Sequence, residues 1–532
     1  MYISGICIKG FKKYLDYNVK FKKHLNILIG ENEAGKSTIL DAIEVVLNQK
    51  YFFNNQNGNA VFFSKENIKK FNDSKNIESL PKIELEVFFG NQGIITPEMG
   101  RFRGEHNFYA KNLFGIHFEY KFNESFSDLF ENFETKPIIP IDYYKAEWRT
   151  FSGATYNRKL NPLKSLMIDN SISRYGVYDN FAKDLYETTY SESKRSSISY
   201  DFRVAIKEFL ADKSKDLVLD SEQNFSISEE KANIKSLLTV EHKGVVLQQK
   251  GKGMENILKT QQALKNSQSK LLLIEEPENH LSPMNLRKLI GDISTENSAS
   301  QIILATHDSL IVNRLGLDKL IWLERVRPSS FENLDDATID YFSKIDHTNV
   351  LQFILADKVI LVEGAAEYIL VDKLFKAYNN TSGGSGGLDD YKIEVISCGG
   401  ITYKHYLDVA KDLNKPILVL TDNDGKQDRI EMVKVANDKY ETSSKTIRIE
   451  LEKDVNNFTF EVSLFNKNKE TFKNLAAANA STTYNDKEYD RNLAFMLNNK
   501  TKAAMRIEKE INTNDLICPD YISRGFEWLK NF

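Results

Sequence analysis

Hydrophobic positions change rhythm several times along this chain, and each change marks an element. Ile6 and Ile8 alternate with Cys7 and Lys9, and Val19 and Phe21 alternate with Lys20 and Lys22. A period of two belongs to half-buried strands, so residues 1–29 predict a twisted β start. Within it, Leu25-Asn26-Ile27-Leu28-Ile29 is a short apolar run ending at Gly30. The period then lengthens: Ile39, Leu40, Ile43 and Leu47 fall on one face of a helix predicted over 38–47. Residues 50–80 are rich in Asn and Lys and predict a long loop. Strands are predicted at 83–89, 114–122 and 137–148, the last with Ile138, Ile139 and Ile141 as its apolar core. Residues 155–215 are rich in Ser, Tyr, Lys and Asp, with helical stretches at 177–186 and 202–210, and predict an inserted helical subdomain.

Apolar strands return at 271–274, 301–305 and 319–322. From 357 onward the pattern alternates: strand 359–362, helix 365–378, strand 393–397, helix 403–413, strand 417–420. Such alternation implies a parallel sheet. Residues 381–387, Thr-Ser-Gly-Gly-Ser-Gly-Gly, form a flexible loop inside this unit. No internal repeat of 20–50 residues is visible. At 532 residues the chain exceeds one hydrophobic core, which predicts two or three domains. A net charge of −4 gives no global basic field, so any nucleic-acid contact must come from local patches. The three cysteines, Cys7, Cys398 and Cys518, are far apart and form no C-x-x-C pair, which argues against a structural zinc site or a disulfide framework. No charged leader precedes an apolar core, and no apolar run approaches the roughly 20 residues of a membrane span. The expected setting is the reducing cytoplasm.

Gly30-Glu31-Asn32-Glu33-Ala34-Gly35-Lys36-Ser37 satisfies the phosphate-loop pattern, and it sits between a strand and a helix as that pattern requires. Backbone N–H groups from Gly30 through Asn32 and Gly35 to the helix start at Thr38 cradle phosphate oxygens. Lys36 reaches the β- and γ-phosphates and Ser37 ligates Mg²⁺. Further on, Leu271-Leu272-Leu273-Ile274 runs into Glu275-Glu276-Pro277-Glu278. Ligands of a parallel sheet gather at the carboxyl ends of its strands. Glu275 is positioned to hold the metal and its water shell, and Glu276 to orient or deprotonate the attacking water. Taken alone, the pair equally describes a solvated strand end. The strand over 301–305 leads to Thr306-His307-Asp308, where His307 can sense the γ-phosphate.

The order of phosphate loop, Ile-Glu-Glu-Pro-Glu-Asn-His-Leu and Ala-Thr-His resembles ABC-type ATPase heads, including those of DNA-repair proteins. That resemblance implies ATP as ligand and a signature motif donated by a second head, hence at least a homodimer. Leu-Ser-Gly-Gly-Gln is absent. Gln249-Lys250-Gly251-Lys252-Gly253-Met254-Glu255-Asn256 stands in its place before the acidic strand, with Gly251 and Gly253 letting backbone approach the partner's γ-phosphate. The departure bears on hydrolysis more than on binding. No Q-loop glutamine stands out.

A second set of acids lies in the later βα pattern. Glu363 closes the 359–362 strand, and Glu367 follows four residues on, one helical turn away. Asp422 and Asp424 follow the 417–420 strand, where alternate residues can face one site. Four carboxylates from two strand ends bind hard cations such as Mg²⁺ or Mn²⁺ through oxygen. Two such ions can activate a water and stabilise the leaving oxygen of a phosphodiester. Asp-x-Asp-Gly is by itself a common turn, and a calcium loop is excluded because Lys426 takes a ligand position and the glycine comes too early.

Together these acids resemble a Toprim domain. An ABC-type head followed by a Toprim domain resembles the OLD (overcoming lysogenization defect) nucleases, an architecture shared by Gabija and retron-associated nucleases. The resemblance implies an α/β chain: an ATPase head over 1–154 and 216–348, a helical insertion over 155–215 suited to dimer or DNA contact, and a Toprim domain with a parallel sheet over 349–532. It implies Glu363, Glu367, Asp422 and Asp424 as catalytic metal ligands. In Phe458-Thr459-Phe460-Glu461-Val462 it implies Glu461 as a further ligand. In Lys500-Thr501-Lys502-Ala503-Ala504 it implies Lys500, with Lys502 as the alternative, as the transition-state cation. The implied function is ATP-regulated, metal-dependent DNA cleavage in anti-phage defence, with a helicase, or a reverse transcriptase and its reverse-transcribed DNA, as partner. Two alternatives stay open: an ATP-driven DNA clamp or repair ATPase without nuclease activity, and a topoisomerase, which needs a tyrosine nucleophile.

Overall fold

The structure, a computed structural model, describes residues 1–50, 52, 59–91, 96–130, 138–170, 180–213, 216–217, 223, 225–228, 233–295, 300–345, 349–400 and 402–532. Contacts divide the chain into two units, residues 1–311 with 319–330, and residues 312–318 with 331–532.

Strands up to residue 330 are β1 (Tyr2–Phe11), β2 (Tyr14–Lys20), β3 (Leu25–Ile29), β4 (Ile83–Gly90), β5 (Arg103–Gly104), β6 (Leu113–Phe122), β7 (Tyr144–Thr150), β8 (Leu166–Asp169), the hairpin β9 (Glu241–His242) and β10 (Val245–Val246), β11 (Leu271–Glu275), β12 (Gln301–Ala305), β13 (Leu320–Leu323) and β14 (Pro328–Ser330). Helices over the same stretch are α1 (Lys36–Asn48), α2 (Lys65–Ser74), α3 (Pro97–Gly100), α4 (Asn180–Thr189), α5 (Glu192–Lys213), α6 (Lys252–Lys265), α7 (Pro283–Thr295) and α8 (Ser309–Leu315). One sheet is antiparallel, ordered β2-β1-β4-β6-β5 with β7 beside β6. The other is ordered β14-β13-β3-β12-β11-β8 and is parallel except at β14.

Helix α1 packs against strands of both sheets, β1, β4 and β6 on one side and β12 on the other. The one-faced helix expected over 38–47 is therefore apolar all round: Ile39, Leu40, Ala42, Ile43, Val45, Val46 and Leu47 are all fully buried. Its last carbonyls find side-chain donors: Trp148 Nε1 donates to Val45 O at 2.9 Å and Tyr156 Oη to Leu47 O at 2.7 Å.

Three expectations are corrected. The loop expected over 50–80 contains α2, whose polar composition hides its period; Ser64 Oγ caps it by accepting from Asn67 N, and Phe71 alone among its residues is buried. The strand expected over 137–148 starts only at Tyr144. Pro140 and a 3-10 turn at Ile141–Tyr143 precede it, and Ile138 is 77% exposed. Residues 155–215 are not all helix: Leu166–Asp169 is the edge strand β8 of the parallel sheet, too short to announce itself by alternation. The helical stretch expected at 177–186 corresponds to α4 from Asn180 on, and its first residues lie outside the described ones.

The second unit carries β15 (Lys358–Val362), β16 (Ile393–Ser397), β17 (Ile417–Leu420) and β18 (Ile447–Glu450), all parallel in the order β16-β15-β17-β18. Its main helices are α9 (Asp336–Lys344), α10 (Val350–Leu355), α11 (Ala365–Thr381), α12 (Tyr403–Ala410), α13 (Gln427–Ser443), α14 (Phe460–Lys467), α15 (Arg491–Asn498), α16 (Lys500–Glu510) and α17 (Asp520–Lys530). Ile360, Val362, Leu418 and Leu420 pack with residues of α11, α14, α15, α16 and α17 in one core. The buried ammonium of Lys373 ties α11 to α16, donating to Ile507 O at 3.1 Å. The chain leaves β15 toward β16 on one side and returns to β17 on the other. The crevice between the carboxyl ends of β15 and β17 is thus a topological switch point, where such sheets bind ligands. Among the described residues no helix is long and apolar enough to cross a membrane.

Glu44 is enclosed within α1's apolar surroundings, with Asn48 Nδ2 at 2.8 Å from its Oε1. Burial pushes its carboxyl from 4.5 up to about 7. A pKa raised in the folded state means the unfolded chain binds fewer protons across that window, so stability falls as pH rises from 4.5 to about 7. Glu44→Gln removes this loss. Measured by denaturant unfolding against wild type, the variant should gain up to roughly 3 kcal/mol between pH 4.5 and 7. An offset independent of pH would refute the assignment.

Candidate active sites

The phosphate loop follows β3 and opens α1. Gly35 sits at its N-cap with φ 100°, and a Cβ there would collide with the Tyr14 hydroxyl, so both conformation and space demand glycine. Tyr14 in turn donates to Ala34 O at 2.8 Å and holds the loop from beneath. Lys36 folds back across the loop, its Nζ donating to Gly30 O at 2.9 Å and Glu31 O at 3.2 Å; burial lowers its pKa. Asn32 is exposed and Thr38 is buried.

Glu275 ends β11 and accepts a hydrogen bond from the Ser37 hydroxyl, so the two residues expected to share a magnesium ion are brought together. Burial pushes Glu275 up to about 7, and Asp169, Asp41 and Glu276 add to the rise. Glu276 has a left-handed backbone, φ 45°, and is steadied by Asn279 Nδ2 at 2.6 Å from its Oε2. His307 Nδ1 lies 3.9 Å from Glu276 Oε1 and 3.3 Å from Glu278 Oε1. Glu278, unassigned from sequence, is the organiser here: it accepts from Thr306 Oγ1 at 2.7 Å and His307 N at 3.0 Å. Burial raises its pKa. Its place in Glu-Glu-Pro-Glu was visible, but its reach to the next strand end was not.

Gly251 caps α6 with open space around it, whereas Gly253 lies against the carbonyl oxygen of His280, where a Cβ would collide. The second glycine thus serves packing within the unit. At the carboxyl end of β8, Asn170 N donates to Glu275 O at 3.2 Å, and both polar atoms of its buried amide lack a hydrogen bond among the described residues. Neither Asp169 nor Asn170 was readable as a site residue, because β8 itself was not.

In the second unit the acids divide into two groups at the switch point. Glu363 follows β15 and precedes Gly364, the N-cap of α11, so it does not share a helix face with Glu367 in the first turn. Its Oε1 accepts from the Thr421 hydroxyl, from Asp422 N at 3.3 Å and from Arg429 Nη2 at 2.7 Å. Asp424, with φ 52°, also turns toward Arg429. Between the two aspartates, the fully buried Asn423 points inward and donates to Glu452 O at 2.9 Å and Asp454 O at 3.0 Å. This staple sends Asp422 and Asp424 to different partners.

The other group is Glu367, Asp422 and Glu461. Phe460 N donates to Asp422 Oδ1 at 2.8 Å. Burial pushes Glu367 up to about 7 and Asp422 well above its usual range, and the neighbouring carboxylates reinforce both. Glu461, 2% exposed, has Lys500 Nζ 2.9 Å from its Oε2, and its Oε1 accepts no hydrogen bond among the described residues. Burial works against the Lys500 ammonium, but Glu461, Asp422 and Glu367 outweigh it and raise its pKa. Lys502 is exposed and takes part in no ion pair among the described residues. A narrow pocket between Glu367, Thr421, Asp422, Phe460 and the buried Tyr521 lies under this group. Among the described residues no three His, Cys, Asp or Glu side chains already converge as a finished metal cage. The donor set nevertheless fits hard cations: the ligands are oxygens, and Oε1 of the buried Glu461 carboxylate lacks a hydrogen bond among the described residues.

Comparisons with known proteins agree with this division. A family model described as an AAA ATPase domain matches residues 1–239, and one described as overcoming lysogenization defect protein-like, TOPRIM domain, matches residues 354–424. The latter contains Glu363, Glu367, Asp422 and Asp424 but not Glu461 or Lys500. The DNA replication and repair protein RecF of Acetivibrio thermocellus is 28% identical over 95 residues, 18% of this chain and 26% of that protein. Structural maintenance of chromosomes protein 3 of Saccharomyces cerevisiae is 43% identical over 53 residues, 10% of this chain and 4% of that protein. The chain thus spans about a quarter or less of the curated relatives it matches. Among solved structures, an Smc head bound to the C-winged helix domain of ScpA aligns over 60% of this chain and 94% of that one, at 14% identity and TM-score 0.32. The SMC head domain from Thermotoga maritima aligns over the same shares at 12% identity and TM-score 0.29. The chain therefore joins an AAA ATPase domain to a Toprim domain of the overcoming lysogenization defect protein-like kind.

Proposed function

We propose that this chain is a divalent-metal-dependent DNA endonuclease whose cutting is controlled by ATP at its head. The observation that carries the reading is the gathering of Glu363, Glu367, Asp422 and Glu461, with Lys500, at the carboxyl ends of neighbouring parallel strands. Bound there by these acids and Asp424, Mg²⁺ or Mn²⁺ would activate a water and stabilise the leaving oxygen of a phosphodiester. The chain's own groups prepare the site. Thr421 and Asp422 N hold Glu363, and Phe460 N holds Asp422. Lys500, kept charged by Glu461, offers a cation to the charge that builds on the scissile phosphate. Tyr521 beneath the acids is buried, so its hydroxyl is no nucleophile toward a DNA backbone.

In the head, Lys36 and the loop from Gly30 to Thr38 would bind the phosphates, Ser37 with Glu275 the magnesium, and Glu276 with His307 the attacking water and γ-phosphate. A homodimer would supply the facing head through the segment at Gly251. The resemblance to OLD-type nucleases supports anti-phage defence as the setting, with a helicase, or a reverse transcriptase and its reverse-transcribed DNA, as partner. The local likeness to RecF and to a structural-maintenance protein supports a second reading, an ATP-driven DNA clamp without cutting.

Cleavage of supercoiled plasmid in Mg²⁺ or Mn²⁺, with and without ATP, separates the two readings. Wild type should nick or linearise it, and Asp422→Ala should lose about two orders of magnitude or more, the scale of losing one transition-state contact. Wild-type cutting by Asp422→Ala would remove the metal-site reading. Absence of cutting by wild type would leave two readings, the clamp and a nuclease silent without its partner.

Lys36→Ala should weaken binding of radiolabelled ATP by roughly 10–100-fold, as expected for lost hydrogen bonds to a charged group, and should alter the ATP dependence of cutting. Equal affinity would refute the phosphate-loop assignment.

A further inference from the structure

Arg429 is the cation that the proposed chemistry does not use. Its guanidinium spans the outer pair of acids: Nη2 lies 2.7 Å from Glu363 Oε1 and 2.9 Å from Thr421 Oγ1, and Nη1 bonds Asp424 Oδ2. It stands in the first turn of α13, where the helix already presents the positive end of its dipole, so the helix itself disfavours a cation there. The carboxylates are what hold it. Its side chain is 17% exposed and that of Asp424 47%, so the pair opens directly to solvent. The inner acids differ. Glu367, Asp422 and Glu461 face Lys500, which lies 2.9 Å from Oε2 of Glu461 and leaves its Oε1 without a hydrogen bond among the described residues.

We infer that Arg429 is a built-in competitor for one of two unequal cation positions. Glu363 and Asp424 can serve either the guanidinium or a divalent ion, because the oxygens that grip Arg429 are those an ion would need. Occupying the outer position therefore requires Arg429 to swing outward, whereas at the inner position Lys500 engages one oxygen of Glu461 and leaves its Oε1 to an ion. The inference rests on the reading of these acids as a divalent-metal site. It adds that the second ion binds weakly by construction, so cutting responds to whatever moves α13 or offers Arg429 another anion. A DNA phosphate is such an anion, and binding substrate would then free the position that cutting needs.

Mn²⁺ titration of the full chain, followed by loss of the free-ion electron paramagnetic signal, tests this without reference to activity. Wild type should show one tighter and one weaker Mn²⁺ beyond the ion of the head, which is common to all arms. In Arg429→Gln the weaker site should tighten about tenfold or more, the lower end of the roughly one to three pKa units by which an adjacent opposite charge biases a carboxylate. Arg429→Lys, a point charge without the fork, should fall between. The thermal midpoint of Arg429→Gln should drop without metal and be raised by Mn²⁺ more than that of wild type. An unchanged or weaker second site in Arg429→Gln would overturn the competitor and leave the metal reading standing. Absence of Mn²⁺ at the second unit in every variant would overturn both. Should Arg429→Gln not fold, a wild-type isotherm for Arg429→Lys overturns the inference.

Discussion

Parallel pairing is the constraint on which both units depend. Parallel strands cannot be joined by hairpins, so each must cross over through a helix and start again at the same edge. All carboxyl ends then lie along one edge, with loops and helix starts gathered beside them. In the first unit that edge collects the phosphate loop after β3, Glu275 at the end of β11, and Thr306 and His307 after β12. In the second it collects Glu363 after β15 and Asp422 after β17. The same topology that buries Val359–Val362 and Ile417–Leu420 thus forces carboxylates together at the rim.

Acids crowded at a covered sheet edge cost free energy in the charged form. Glu275, Glu367 and Asp422 all respond as burial dictates, with pKa values raised and carboxylates of their own unit adding to each shift. Donors fixed by the fold offset part of this: the Ser37 hydroxyl on Glu275, Thr421 and Asp422 N on Glu363, Phe460 N on Asp422. Glu461 is the exception, since its one partner is the Lys500 ammonium and its Oε1 accepts nothing among the described residues. An array so incompletely satisfied is hard to explain as a stabilising feature, and it is the pattern of groups kept ready for an ion.

What the sequence made legible follows from how local each signal is. The strand–loop–helix of the phosphate loop, the acid run after Leu271–Ile274, and the βα alternation after 357 are contained in short windows, and the two units and most of the proposed ligands could be read from them. What escaped depends on contact between distant segments. β8 has four residues and gains its meaning only from lying beside β11. α2 is almost wholly solvated, so no apolar period marks it. Pro140 shifted a strand whose isoleucines looked like its core. That Asp422 and Asp424 take different partners was hidden too, because it depends on Asn423, buried between them, bonding to Glu452 O. The resemblance favoured Lys500 over Lys502 without giving either a partner; the first turn of α16 brings the former to Glu461.

Both sites also show how a protein keeps charge near its ligand positions without relying on solvent. Lys36 lies across its own loop on the carbonyls of Gly30 and Glu31. Arg429 lies across Glu363 and Asp424. In each case the charged group meets partners of the chain's own, and ligand binding is an exchange: phosphate oxygens replace backbone carbonyls on Lys36, and an ion replaces a guanidinium on the outer acids. An exchange reaction binds more weakly than addition to an open site, because the internal contacts must first be released. It also makes affinity depend on how firmly the internal partner is held. Arg429 is held by α13, and α13 is tied to β18 through Asn437, whose Nδ2 donates to Ile449 O at 2.8 Å and whose Oδ1 accepts from Ile449 N at 2.9 Å. A shift of that helix along β18 would move the guanidinium without disturbing Glu367, Asp422 or Glu461, whose restraints come from α11, β17 and α14. The two cation positions can therefore be adjusted separately, which a single shared cage of four carboxylates would not permit.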